Sequence, residues 1–145
     1  MGGLWDLYLY GESGLQFHGG ELNYLGLSRA STAVLDGGYI GCMGAAQEVS
    51  IIGRDPVTQE PIYNRHIEMI VKDYEYDDLT GLLTGTWVDD TLFRIQLIDV
   101  PGYTPTFENI SFTIIPEPVT FVLLAFGAAG LRTSRQRAPS SIRSA

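Results

Sequence analysis

Cysteine is almost missing from this 145-residue chain. Cys42 stands alone, which excludes an intrachain disulfide. A solitary thiol is expected to behave as a small buried hydrophobe rather than as a reactive group. Histidine is nearly as scarce: His18 and His66 lie far apart with no ligand-like spacing, so the sequence predicts no zinc site. Basic residues are few in the body. Residues 1–115 hold five (Arg29, Arg54, Arg65, Lys72, Arg94) against sixteen acidic ones, a net −11. Phosphate backbones are bound by Lys and Arg clusters, so nucleic acid is excluded as a partner. Met1 to Asp6 also lacks the basic start and apolar run of a secretory signal peptide.

Glycine, by contrast, is periodic. Pairs fall at Gly2-Gly3, Gly19-Gly20 and Gly37-Gly38, and Gly53 closes the series, giving spacings of 17, 18 and 16. Other positions keep the same register. Phe17, Leu35 and Ile51 precede the later glycines by two residues, Leu15, Ala33 and Val49 by four, and Ser13, Ser31 and Gln47 by six. After the pairs, Trp5, Leu22 and Ile40 are equivalent, as are Tyr8, Leu25 and Met43. Such periods with alternating apolar positions are what stacked β-solenoid coils produce, with glycines turning the corners. His18, Asp36 and Ile52 are then expected to point outward. A meander of antiparallel hairpins using Gly-Gly turns is the alternative. The repeat starts in mid-pattern, without the atypical cap of a solenoid end, so further coils and a signal peptide are expected upstream.

Beyond Gly53 the repeat stops. Arg54 to Pro61 reads as a polar loop, Ile62 to Asp73 as one or two strands, and Tyr74 to Asp78 as an acidic turn. Leu82–Val88 and Thr91–Ile98 flank a two-residue Asp89-Asp90 turn. Phe107 to Ile115 alternates as a last strand. The expected fold is all-β: a short solenoid of three coils of about 16–18 residues, then antiparallel strands closing its open end, then a C-terminal hydrophobic helix. The domain reading is a solenoid over 1–53, an antiparallel cap over 54–115, a sorting and membrane segment over 116–137, and a disordered tail over 138–145.

The charge reverses at Pro116. Residues 116–145 carry four arginines and only Glu117, a net +3. Their order is Pro116-Glu117-Pro118, an apolar run from Val119 to Leu131, then Arg132, Arg135 and Arg137. Arginines flanking an apolar segment stay cytoplasmic. The order resembles the PEP-CTERM sorting signal of exported bacterial proteins. That resemblance implies a helix held in the inner membrane and an exosortase-type protease that processes the Pro-Glu-Pro region. It implies release to the cell envelope or the exterior after processing. The run from Val119 to Leu131 is 13 residues, about 20 Å as a helix against roughly 30 Å of hydrocarbon. A span that short relies on bilayer thinning and snorkelling; a buried C-terminal helix is the alternative. Upstream, Ser13 to Gly20 and Ser31 to Gly38 resemble the Ser-x-Val/Leu-x-Φ-x-Gly-Gly units (Φ, apolar) found in a group of such proteins. Leu83-Thr84-Gly85-Thr86-Trp87-Val88-Asp89-Asp90-Thr91 resembles their Leu-Thr-Gly-x-Trp-x-Asp-Gly-Thr hairpin, with Asp90 where glycine is expected. No activity is carried over from them.

No reaction is spelled out. A polysaccharide lyase needs a base beside clustered carboxylates or a metal; the repeats offer only Arg29 and Arg54, with Glu21 and Asp36 on separate coils. The adjacent pairs Asp77-Asp78 and Asp89-Asp90 serve turns more readily than glycoside hydrolysis. Asp73, Glu75, Asp77 and Asp78 are oxygen donors for calcium or simply a solvated loop. Asn109-Ile110-Ser111 matches the glycosylation pattern. Eight tyrosines are strand and core residues, or rows that stack sugars. The expectation is a non-enzymatic structural or interaction protein with no catalytic residue, metal or cofactor. Its site residues are the sorting motif Pro116, Glu117 and Pro118 and the basic stop Arg132, Arg135 and Arg137. Its partners are the membrane, the exosortase-type protease and an extracellular polysaccharide. The alternative is a carbohydrate-active or glycan-binding β-helix protein whose active coils lie upstream.

Overall fold

A computed structural model describes residues 5–116. Each alternating segment of the repeat forms a strand. The strands are β1 (Trp5–Leu9), β2 (Gly14–Phe17), β3 (Glu21–Ser28), β4 (Thr32–Leu35), β5 (Tyr39–Ala46), β6 (Ile51–Arg54), β7 (Pro61–Tyr63), β8 (Ile67–Asp77), β9 (Leu82–Trp87), β10 (Leu92–Asp99) and β11 (Ile110–Ile114). A 3-10 turn, Thr106–Asn109, precedes β11. The fold is all-β. Nine strands make one sheet in the order β1-β3-β5-β10-β9-β8-β4-β2, with β11 on the free side of β8; β6 and β7 pair separately. The sheet is barrel-like and nearly closed. Its interior is filled by Leu25, Leu35, Met43, Met69, Leu83, Trp87 and Ile95, none more than 0% exposed.

The repeat register governs half of this sheet. β1, β3 and β5 pair in parallel, as do β2 and β4. Trp5, Leu22 and Ile40 are in register, and Phe17 pairs with Leu35 and Leu15 with Ala33. Leu25 pairs with Met43, but its partner on β1 is Leu7 rather than Tyr8, because the register shifts between Trp5 and Asp6. A β-bulge moves side chains to the other face, and Tyr8 is 52% exposed as a result.

The corners explain the repeated polar residues. Ser13 Oγ donates to Tyr10 O at 2.7 Å, and Ser31 Oγ to Ser28 O at 2.7 Å. Gly11 and Arg29, each two residues earlier, both have left-handed backbones (φ 65° and 58°). At the other corner Gly20 and Gly38 adopt φ of 100° and 89°, where only glycine is unstrained. The two corners stack: Asp36 N donates to Phe17 O at 3.1 Å and Tyr39 N to Gly20 O at 2.8 Å.

The expected three-coil solenoid gives way to this barrel-like sheet, and the place of the third coil is a correction. Gln47 still occupies the serine column, its Nε2 donating to Ser31 O at 2.7 Å. Then the chain leaves. Ile51 lies in β6, pairs with Tyr63 in an antiparallel hairpin and is 52% exposed. Its expected place beside Leu35 is taken by Met69, and that of Val49 beside Ala33 by Ile67. The reason is length. Residues 67–77 alternate over a longer run and pair on both edges, with β4 and β9 on one side and β11 on the other. Residues 48–53 offer a shorter apolar run, and alternation alone does not select between them.

The remaining strands close the sheet. β8, β9 and β10 form antiparallel pairs, as expected, while β10 returns parallel to β5 and β11 parallel to β8. Pairs β4–β8 and β5–β10 thus join residues on both sides of Arg54 in one sheet. The β9–β10 turn has three residues rather than two. Asp90 N donates to Trp87 O, Trp87 N donates to Thr91 O, and Asp90 has φ 74°. This is the bulged three-residue hairpin whose left-handed position favours glycine; here Asp90 occupies it. Stacked rings clip β11 and the 3-10 turn before it to β8: Tyr74 lies on Phe112 of β11 at 3.6 Å, and Tyr76 on Phe107 of the turn at 4.0 Å. By internal contacts the chain divides into Met1–Ile115 and Pro116–Ala145. The expected C-terminal helix lies outside the described residues.

Candidate binding site

The outer face of β1, β3 and β5 carries an aromatic cleft. Across these strands Tyr8, Gly26 and Gly44 are in register, and so are Asp6, Tyr24 and Cys42. The two glycines form a floor with no side chains. The rings of Tyr8 and Tyr24 lie over it, centroids 5.4 Å apart and tilted by 42°. A methyl group at Gly26 would meet the Tyr24 ring at 2.8 Å and the Tyr8 ring at 3.0 Å; one at Gly44 would meet Tyr24 Oη at 2.6 Å. Glycine is required at both places by close approach, since φ is not left-handed at either. Tyr10 and Ser28 complete a cavity of about 220 Å³. Burial raises the Tyr24 phenol above its ordinary pKa, and Tyr8, Cys42 and Asp6 add to the effect. It therefore remains a protonated donor at neutral pH. Ser28 Oγ donates to Leu9 O at 3.2 Å, which leaves its lone pairs to accept.

A second cleft, of about 380 Å³, lies where the stacked glycine corners meet the β9–β10 hairpin. It is lined by His18, Tyr39, Asp89, Thr91, Leu92 and Arg94, among others. Trp87 Nε1 donates to Gly38 O at 2.9 Å and fastens the hairpin to the corner. The Asp89 carboxyl is held below the usual carboxylate range, chiefly by the Thr91 hydroxyl and then by the Thr91 N–H. Asp90 contacts Lys72. The Asp89 carboxylate thus serves the turn, and that of Asp90 ties the turn to Lys72 on β8.

The sequence-singled residues fall as follows. His18 and Ile52 are exposed and Asp36 is half-buried; His18 Nδ1 and Asp36 Oδ1 are 2.8 Å apart, a clasp between successive corners. His66 faces Asn109, its Nδ1 2.9 Å from Oδ1, so the two histidines serve different places. Asn109 ends the 3-10 turn and is 0% exposed, which shields the Asn109-Ile110-Ser111 pattern from modification. Tyr74, Glu75 and Asp77 continue β8 instead of forming a turn, and the turn itself follows Asp77. Among the described residues no three His, Cys, Asp or Glu side chains group to hold a metal ion. Cys42 is half-buried on the outer face. Pro116 is exposed just beyond β11. Glu117, Pro118, Arg132, Arg135 and Arg137 lie outside the described residues. Sequence reasoning noted the tyrosines but not the cleft; the in-register glycines Gly26 and Gly44, 18 apart, were the signal that would have revealed it. No protein-family model, curated protein or solved structure matches the chain.

Proposed function

We propose that this chain is an exported, envelope-associated structural or interaction protein delivered by a PEP-CTERM-type tail. The observation that carries the reading is the order of the tail: Pro116-Glu117-Pro118, then the apolar run to Leu131, then Arg132, Arg135 and Arg137. No Lys or Arg lies between Arg94 and the apolar run, whereas Arg132, Arg135, Arg137 and Arg143 follow it, a bias that supports an outside-to-inside orientation. The membrane and an exosortase-type protease are the partners of the tail. Its test is deletion of residues 116–145 in an exporting host. The full chain is expected in the membrane fraction until processed, and the shortened chain in the soluble exported fraction. Unchanged membrane association of the shortened chain refutes the reading.

We also read the parallel registers of β1-β3-β5 and β2-β4 as two solenoid-type coils closed by β8, β9 and β10. Support comes from the 18-residue offset between paired positions such as Leu22 and Ile40. Coils of one period are stackable units. A tandem duplication of residues 21–38 is therefore expected to fold with an undiminished melting temperature. Aggregation or loss of cooperative melting overturns this reading.

A further inference from the structure

Scattered exposed aromatic residues are ordinary on protein surfaces. The Tyr8–Tyr24 cleft differs in being built. Two glycines in register remove every side chain from its floor, and each is held to glycine by the rings that cover it. The rings are tilted, not stacked, so they do not close upon each other. Tyr8 stays 52% exposed and Tyr10 65%. Partly exposed aromatic rings seated low on a glycine floor, beside a hollow with a few polar tips, are the makings of a ligand site.

The chemistry of the lining selects the ligand. The lining, Tyr8, Tyr10, Tyr24, Gly26, Ser28 and Gly44 with Leu9, Leu27, Ala46 and Val100, contains no Asp, Glu, Lys or Arg. The body around them is net −11, which repels phosphates and uronic acids. A neutral ring with one flat C–H face and hydroxyls around its edge fits both features. Its face lies on a phenol ring, and its hydroxyls meet the Tyr24 donor and the Ser28 acceptor. The volume, about 220 Å³, is below the range of roughly 300–1,000 Å³ for drug-sized ligands. It therefore takes one ring of a chain, not a buried oligosaccharide.

We propose that the cleft of Tyr8, Tyr10 and Tyr24 over the Gly26–Gly44 floor binds single rings of a neutral, β-linked polysaccharide. Where every hydroxyl is equatorial, as in β-linked glucose, such rings present the flat faces that the cleft accepts. The proposal rests on the body being an outward-facing interaction module and names its partner. The two readings fail separately, since saccharide binding reports on β1 and β3 and membrane release on residues 116–145.

The test is saturation-transfer NMR of the full chain with cellohexaose, in a detergent whose head group carries neither sugar nor ammonium. Weak binding in the millimolar range is expected. Tyr8→Ala is expected to weaken it by about tenfold or more, the loss typical of a single stacking contact. Tyr24→Phe keeps the ring and the fold but removes the hydroxyl, and is expected to weaken binding severalfold. Leu92→Ala, at the second cleft, is expected to leave it unchanged. Thermal melting confirms that each variant is folded; should Tyr8→Ala fail to fold, Tyr24→Phe decides. Three results overturn the proposal: no transfer to cellohexaose at millimolar concentration, equal binding by wild type and Tyr24→Phe, or displacement of the sugar by tetramethylammonium. The last would identify the tyrosines as a cage for a cation.

Discussion

Alanine at three glycines of the stacked corners separates conformational strain from steric contact. Gly20 has φ 100°, but among the described residues the nearest atom to an added methyl is on the Phe17 ring at 3.8 Å. Gly20→Ala therefore costs only the strained backbone, of order 1–3 kcal/mol. At Gly37 φ is not left-handed, yet an added methyl would lie 2.3 Å from His18 O. That atom is backbone, so Gly37→Ala forces the corners apart at about 1–3 kcal/mol. Gly38 combines both effects. Its φ is 89°, and a methyl would meet the Phe17 ring at 2.5 Å and Gly19 Cα and Gly20 O at 3.0 Å. Gly38→Ala is thus expected to exceed Gly20→Ala by about 1–3 kcal/mol. Urea melts followed by tryptophan fluorescence are the assay, since buried Trp87 bonds to Gly38 O. The difference also appears as roughly 4 °C of melting temperature per kcal/mol for a unit of this size. If Gly38→Ala costs no more than Gly20→Ala, or Gly37→Ala is neutral, the corners do not pack on one another and the repeat register is wrong.

Other substitutions follow from the same frame. Arg29→Gly places glycine where φ is 58° and where the equivalent corner already has Gly11; a gain of about 0.5–1 kcal/mol is expected in urea melts. Asp90→Gly relieves φ 74° but removes the Lys72 contact, so its gain is expected to be smaller; the reverse order would contradict the account of the β9–β10 turn. Asn109→Ala removes the side chain facing the His66 ring and the donor to Thr104 O, while Gln47 O keeps its bond from Thr104 N, at a cost of about 1–3 kcal/mol; a change within error would mean those groups find other partners. The Asp55 carboxyl is held below its ordinary pKa by the backbone N–H groups of Thr58 and Val57, and that of Asp89 chiefly by Thr91. A lowered folded-state pKa stabilises above the ordinary carboxylate value of about 3.9 and is lost as pH falls through the folded value. The double variant Asp55→Asn, Asp89→Asn should accordingly show a shallower loss of stability on acidification below pH ~4 than the wild type; parallel curves would exclude these two carboxyls as contributors.

Much of the sheet was legible because local rules and the fold agree. Glycine pairs mark corners, serines six residues before them close the opposite corners, and alternate apolar residues face inward. These rules need only neighbouring residues, so Leu22 with Ile40, Leu25 with Met43 and Phe17 with Leu35 were readable in register. Legibility ended where two segments competed for one place. Ile51 and Met69 both sit in alternating runs, and only the added pairing of β8 with β9 and β11 decides for Met69. The bulge after Trp5 was invisible for a related reason. A one-residue shift leaves composition and spacing intact but moves Tyr8 from the core to the surface.

The sequence by itself determined an acidic all-β body with repeated corners, a charge reversal at Pro116 and a tail ordered like a sorting signal. The tertiary structure alone decided how the sheet closes and how the tyrosine cleft is assembled. β10 returning beside β5 and β8 beside β4 are pairings between distant residues, set by total burial rather than by any local preference. The tyrosine cleft arises the same way. Tyr8 and Tyr24 are 16 residues apart in sequence, and only parallel pairing across a bulge sets their rings over Gly26 and Gly44.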